Sequence, residues 1–253
     1  MKTNFLFSSV GDNTQFDNMW INKNMDYDIY IIYYGENTNI FNKYKSKVHF
    51  CIKRSGGKYQ NFKYFYDNFR HIIDEYERFF ILDDDIIFNV NDINNMFRIS
   101  KQYRLEICSP SFILADGKGK WGWNVMMHKE NVMLTYTNFI ENGVALFNKN
   151  ALDKFMIYYN NDLIGWGIDF LYMWANNHKK KKAYAVVHFV KCINPTEQHK
   201  EIDKRELMLI NNSNNEKEIW SIYSKKINCP EWYEVKENKT ITHIPKYYKR
   251  QLL

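Results

Sequence analysis

Three consecutive aspartates, Asp83-Asp84-Asp85, follow directly on the apolar stretch Phe79-Phe80-Ile81-Leu82. Adjacent carboxylates repel, and each raises its neighbour's pKa unless a cation lies beside them. Folding alone is a poor reason for the whole set. Hard oxygen ligands at this density suit Mg²⁺ or Mn²⁺ bridging to phosphate oxygens. The plain alternative is one aspartate capping the next element, with the others in solvent. A second constellation, Gly165-Trp166-Gly167-Ile168-Asp169, reads as a turn opening a helix. Its glycines let the backbone turn tightly and approach a ligand. Trp166 offers a flat apolar face of the kind on which sugar rings stack. Asp169 falls in the first helical turn, where negative charge is favoured and the carboxylate can face a pocket; a simple N-cap is the competing reading.

Two chemistries compete for the triplet. A haloacid-dehalogenase-type phosphatase needs a hydroxyl residue shortly after its nucleophilic aspartate, and Ile86-Ile87-Phe88 offers none. The DxD motif of nucleotide-sugar glycosyltransferases has the form of an apolar strand running into Asp-x-Asp, which residues 79–85 match. That motif is short and common, so it needs the second constellation beside it.

The elements that must position these residues alternate in the N-terminal half, as in an α/β sheet. Strands are expected at Phe5–Val10, Tyr27–Tyr34, His49–Lys53 and Phe79–Leu82, the last wholly apolar as a buried central strand should be. Gly56-Gly57 opens a helix with Phe62, Phe65, Phe69, Ile72 and Tyr76 at three- and four-residue intervals. Asn91 or Asp92 is expected to cap a further helix carrying Ile93, Met96 and Phe97. Beyond these, Leu105–Ser109, Gly143–Asn148 and Ala183–Val190 read as strands. Asn150–Tyr159 and Asp169–His178 read as helices. The expected organisation is one α/β domain over residues 1–200, a mixed central sheet flanked by helices, with a helical C-terminal extension over 201–253 packed on it.

Composition narrows the class. Hydrophobic residues at 45% and charged residues at 25% fit a folded globular chain and exclude disorder. With 10 Gly and 4 Pro in 253 residues, collagen-like and propeller-like chains are excluded as well. The four Cys lie far apart without a CxxC, which speaks against a zinc ribbon or a disulfide framework. Asn and Lys are so abundant that surface copies carry little functional signal. The net charge of +6 suits anionic ligands such as nucleotides and phosphates. The dense basic run Lys179–Lys182 reads first as a solvated helix end, with weak membrane-surface contact second. No arginine-rich stripe or RNA-binding aromatic signature points to nucleic acid. No apolar run reaches the length of a membrane span and no signal segment stands out, so a cytoplasmic location is the expectation.

Six short segments, in order, carry a resemblance. They are Ser9-Val10-Gly11-Asp12, Gly56-Gly57-Lys58-Tyr59-Gln60-Asn61-Phe62, Asp83-Asp84-Asp85-Ile86, Cys108-Ser109-Pro110-Ser111, Tyr136-Thr137-Asn138-Phe139-Ile140-Glu141 and Gly165-Trp166-Gly167-Ile168-Asp169-Phe170. Over residues 3 to 196 the chain resembles GT-A-type glycosyltransferases, in particular a GT-A-like group long held as a domain of unknown function and related viral-type sugar transferases. The resemblance implies a GT-A-like, Rossmann-like fold and a metal-dependent hexosyl- or deoxyhexosyltransferase. Such an enzyme takes a UDP- or GDP-type nucleotide sugar and a glycan or glycosylated acceptor, with Mn²⁺ or Mg²⁺.

By position, the resemblance sets Ser9, Val10 and Gly11 against base and ribose, and Lys58 and Asn61 against the donor. Asp83 would contact ribose or metal, Asp84 is counted on the donor side, and Asp85 would bind the metal directly. Asp169 matches the general base of inverting members. His188, on the strand after that helix, is the candidate third metal ligand, with a buried structural histidine as the alternative. Trp166, Trp121 and Glu141 fall on the acceptor side. A metal-dependent nucleotidyltransferase and a non-catalytic nucleotide- or glycan-binding protein are the rival classes.

Overall fold

The structure is a computed structural model, and it describes residues 3–14, 16–114, 122–195 and 215–249. The chain order begins β1 (Asn4–Val10), α1 (Phe16–Met19), β2 (Asp28–Tyr33), α2 (Thr38–Lys45), β3 (Phe50–Lys53), α3 (Lys58–Asn68), α4 (Arg70–Ile73) and β4 (Arg78–Asp83). It continues through α5 (Val90–Gln102), β5 (Ile107–Ile113), β6 (Leu134–Thr137), β7 (Val144–Asn148), α6 (Lys149–Tyr158), α7 (Ile168–Ala175) and β8 (Tyr184–Ile193). The C-terminal part contributes α8 (Glu216–Lys226), β9 (Glu237–Ile241) and α9 (Lys246–Lys249).

The nine strands of the described residues join one sheet in the order β3-β2-β1-β4-β7-β5-β8-β6-β9. β1 is parallel to both β2 and β4, and β2 to β3. β7 lies antiparallel between β4 and β5, β5 is parallel to β8, and β6 is antiparallel to β8 and β9. The chain moves outward from β1 through β2 to β3, then returns to the other side of β1 as β4. That reversal makes a topological switch point between β1 and β4, and open α/β sheets bind ligands beyond the carboxyl ends of strands at such a point. Ser9 pairs with Asp83 across it. The segments Ser9-Val10-Gly11 and Asp83-Asp84-Asp85 therefore leave the sheet side by side.

Between its charged ends Arg78 and Asp83, β4 is apolar because it is covered on both faces and flanked on both edges. Phe79, Phe80, Ile81 and Leu82 are fully buried. The high aromatic content is spent here: Phe5 stacks on Tyr30 at 4.2 Å and meets Phe79 at 5.3 Å, while Phe80 meets Phe88 and Phe97 at 5.8 and 5.9 Å. All four cysteines are free and buried.

Two expectations are corrected. α5 begins earlier than the sequence suggested: Asn89 is its cap, accepting from the Asp92 N–H at 3.1 Å, and Asp92 returns a bond to the Asn89 N–H. Asp92 is thus the far half of a reciprocal capping box. The described C-terminal part is not only helical, since β9 extends the sheet at its edge beside β6. Its sequence, Glu-Asn-Lys-Thr-Ile, lacks apolar alternation because an edge strand here has four of its five residues exposed. α2 also went unread; it is capped by the Asn37 side chain, which accepts from the N–H groups of Asn39 and Ile40. Among the described residues, no helix is long and apolar enough to cross a membrane.

Candidate active site

At the switch point the middle aspartate turns toward the β1 loop. Asp84 Oδ2 accepts the Gly11 N–H at 2.9 Å and the Tyr34 hydroxyl at 3.2 Å, and the Asp84 carbonyl accepts from Thr14 Oγ1 at 2.8 Å. Burial pushes its carboxyl up to about 7; the Gly11 N–H opposes this, and the Asp85 and Asp83 charges add to it. Gly11 has no room for a side chain, since a Cβ would lie 2.7 Å from the Tyr34 ring. Asp84 therefore pins the loop that follows β1.

Asp83 faces α3. Its Oδ1 lies 2.7 Å from Lys58 Nζ, and its N–H donates to the Gly143 carbonyl at 2.9 Å. Lys58 also donates to the Asn142 carbonyl at 2.6 Å, with only 10% of its side chain exposed. Asp85 follows, half-buried, just before Ile87, which bridges to Ile193 at the end of β8.

Asn61 lies fully buried on the inner face of α3. Its amide nitrogen donates to Ser9 Oγ and to the Gly56 carbonyl, and its oxygen accepts from Arg54. Asn61, expected on the donor side, is tied here to Ser9 and the Gly56 turn. Ser9 and Val10 are themselves buried at the end of β1.

The second constellation is tied to the first through Asn142. While its carbonyl takes Lys58 and the Tyr59 hydroxyl, its side-chain nitrogen donates to the Gly165 carbonyl at 2.8 Å. Gly167, at φ 82°, is the N-cap of α7. This left-handed conformation suits glycine. Asp169 sits two residues further on and is not the cap. Its Oδ1 accepts the Phe170 N–H at 2.9 Å, and the residue is only 8% exposed. Burial drives its carboxyl up to about 7, against the pull of the Phe170 and Asp169 N–H groups. The buried Tyr59 phenol is raised by burial and then by the charges of Asp83 and Asp169. Tyr172, raised chiefly by burial, senses Asp169 and Glu141 in the same way.

His188 does not join this group. Its Nδ1 accepts the Lys129 N–H at 3.2 Å and its Nε2 lies 3.0 Å from Thr135 Oγ1. Burial, followed by Lys129 and His128, drives it down to about 3, so it is neutral. Its ring thus ties the loop before β6, through Lys129, and Thr135 of β6 to β8. Among the described residues no group of three or more His, Cys, Asp or Glu converges as a metal shell. Trp166 is 49% exposed, with Lys217 Nζ 4.6 Å over its ring, whereas Trp121 lies outside the described residues.

Sequence reasoning missed Asn142, Tyr59, Glu216 and Trp220. Glu216 Oε2 accepts the Trp166 N–H at 2.9 Å, and the Trp220 ring packs against Gly167. Asn142 was hidden by the Asn-rich background. The two C-terminal residues are some fifty positions from the turn they contact, a separation that no local motif bridges.

No protein-family model matches the chain, and no curated protein sequence does. Solved structures do. S. aureus TarS 1–349 in complex with UDP-GlcNAc superposes with a TM-score of 0.57 at 10% identity, covering 92% of this chain and 68% of that one. GalNAc-T7 with UDP, GalNAc and Mn²⁺ gives a TM-score of 0.52 at 11% identity, covering 88% of this chain and 49% of that one. The fold is GT-A. The chain thus spans about two thirds of the TarS fragment and half of GalNAc-T7, and at these identities the likeness concerns architecture.

Proposed function

We propose that this chain is a glycosyltransferase that moves a sugar from a nucleotide-diphosphate donor, of UDP type, to a hydroxyl acceptor on a glycan. The observation that carries the reading is the Asn142 bridge. It joins the Lys58–Asp83 pair at the switch point to the turn that carries a buried, raised Asp169. The fold's neighbours support the donor class, since TarS is bound to UDP-GlcNAc and GalNAc-T7 to UDP, GalNAc and Mn²⁺.

Asp83 and Asp85 supply hard carboxylate oxygens at a strand end, and among the described residues no group of three or more His, Cys, Asp or Glu forms there. That set fits Mg²⁺ or Mn²⁺ held by one or two carboxylates together with substrate phosphates, and not an all-protein cage. When bound, the cation would supply charge stabilisation to the departing diphosphate.

The chain's own residues do the rest. Lys58 is a fixed ammonium at the donor end, offset in the free protein by Asp83. Asp169 accepts the proton from the acceptor hydroxyl as that oxygen forms its bond to the anomeric carbon. The bond from the anomeric carbon to the diphosphate oxygen breaks, and its electron pair leaves with the nucleoside diphosphate. A single displacement of this kind inverts the anomeric configuration. A carboxylate held near 7 is basic enough for the task, about half ionised at neutral pH and largely ionised at mildly alkaline pH. Trp166 and Glu141 are proposed on the acceptor side.

The test is a panel of UDP- and GDP-sugars with Mn²⁺ and glycan acceptors, scored for nucleoside diphosphate and for pyrophosphate. Nucleoside diphosphate supports the reading. Pyrophosphate would assign a nucleotidyltransferase, and donor binding without any turnover would assign a binding protein.

A further inference from the structure

The C-terminal helix α8 grips the same turn that Asn142 holds from the sheet side. Glu216 Oε2 accepts the Trp166 N–H at 2.9 Å and lies 3.1 Å from where a Cβ on Gly165 would sit. One turn further along α8, Trp220 is 1% exposed, and its ring packs so tightly on Gly167 that a Cβ there would come within 2.2 Å of it. The Trp220 indole is itself fixed, its Nε1–H donating to the Glu231 carbonyl at 2.8 Å. Lys217, between the two, lies over the Trp166 ring. The following segment closes the other flank: Tyr233 meets Phe170 edge-on at 5.1 Å and stacks on His178 at 4.0 Å.

Gly167 is the N-cap of α7, so whatever fixes Gly167 fixes where that helix starts and where Asp169 points. Neighbouring contacts bind all three residues Gly165, Trp166 and Gly167, through Asn142 on one side and Glu216 and Trp220 on the other. A helix fifty residues distant would not need a carboxylate on a turn N–H and an indole on a left-handed glycine merely to cover the sheet. We infer that Glu216 and Trp220 are positioning residues for Asp169, and that α8 completes the acceptor side of the active site. This rests on the reading of Asp169 as the base.

The mechanism is dry and mechanical. Trp220 keeps water from the N-terminal end of α7, which sustains the burial of the Asp169 carboxyl. Glu216 holds the Trp166 peptide so that the turn cannot roll and swing that carboxyl into solvent.

The inference is tested by following the Asp169 carboxyl through ¹³C NMR titration in the full chain, in wild type, Glu216→Gln, Glu216→Ala and Trp220→Leu. Wild type and Glu216→Gln, which keeps an acceptor oxygen, are expected to titrate alike. Glu216→Ala and Trp220→Leu are expected to titrate at least one pH unit lower, with the folded state checked by circular dichroism. In kinetics with a productive nucleotide sugar, Glu216→Ala should lose about tenfold in kcat with the donor KM within twofold, and Glu216→Gln should restore it. An Asp169 titration that stays in place in Glu216→Ala, the variant least able to disturb folding, overturns the inference whether or not turnover is found. Absence of nucleoside diphosphate release by wild type would instead count against the proposed reaction alone.

Discussion

Replacing Asp169 by asparagine should make the protein more stable at pH 8 than at pH 5, relative to wild type. An aspartate in an unfolded chain titrates near 3.9, whereas burial holds Asp169 at about 7. The folded pKa is raised, so between these values the native state holds a proton that the unfolded state has lost. Stability then falls as pH climbs through that window and levels off above pH 7. At 1.36 kcal/mol per pH unit, keeping this carboxylate buried costs about 4 kcal/mol at pH 8 and about 1.5 kcal/mol at pH 5. Asparagine keeps the oxygen that accepts the Phe170 N–H and removes the charge. Its amide carries a desolvation cost of its own, equal at both pH values, so only the difference between them reports on the charge. That difference is about 2.5 kcal/mol. Urea unfolding of both proteins at pH 5 and pH 8, followed by tryptophan fluorescence, measures it directly, and the other titrating groups cancel between the two. An equal change at both pH values would refute the reasoning. An equal loss would identify Asp169 as a helix-end residue with no charge held out of water.

Other substitutions separate the parts of the site. Gly167→Ala forces a side chain into a left-handed backbone and against Trp220, and should cost about 2 to 5 kcal/mol, read as a lower urea midpoint. Asn61→Ala leaves buried partners at Ser9 and Gly56 without their donor and should cost about 1 to 3 kcal/mol in the same assay. Lys58→Ala should raise the donor KM and leave the acceptor KM unchanged; movement of the acceptor KM alone would reverse that assignment. Calorimetry with UDP should show much tighter binding with Mn²⁺ than with EDTA, a difference that Asp85→Ala removes.

The parts of this fold that follow from local pattern were legible in the sequence. Apolar runs such as Phe79–Leu82 mark buried strands because both faces of a central strand must be covered, and the triplet that ends this one lies at the switch point between β1 and β4. The Gly-Trp-Gly-Ile-Asp turn could be read because glycine is the residue that tolerates the backbone at position 167. What could not be read is contact between segments distant in sequence. Asn142 works through its carbonyl and its amide together, a role invisible in a chain rich in asparagine. Glu216 and Trp220 act on a turn fifty positions earlier. β9 has the composition of a loop because an edge strand exposed to water needs no apolar face. His188 illustrates the converse: its position in the chain suggested a metal ligand, while its two ring nitrogens are hydrogen-bonded to the Lys129 N–H of a loop and to Thr135 of β6.

The central claim is that Asp169 takes the acceptor's proton, and the most direct measurement is nucleoside diphosphate release by Asp169→Asn against wild type under saturating donor and acceptor. Loss of a positioned general base should lower kcat by about 10²- to 10⁴-fold, with UDP affinity within twofold of wild type. An Asp169→Asn variant that turns over at full speed would contradict the account.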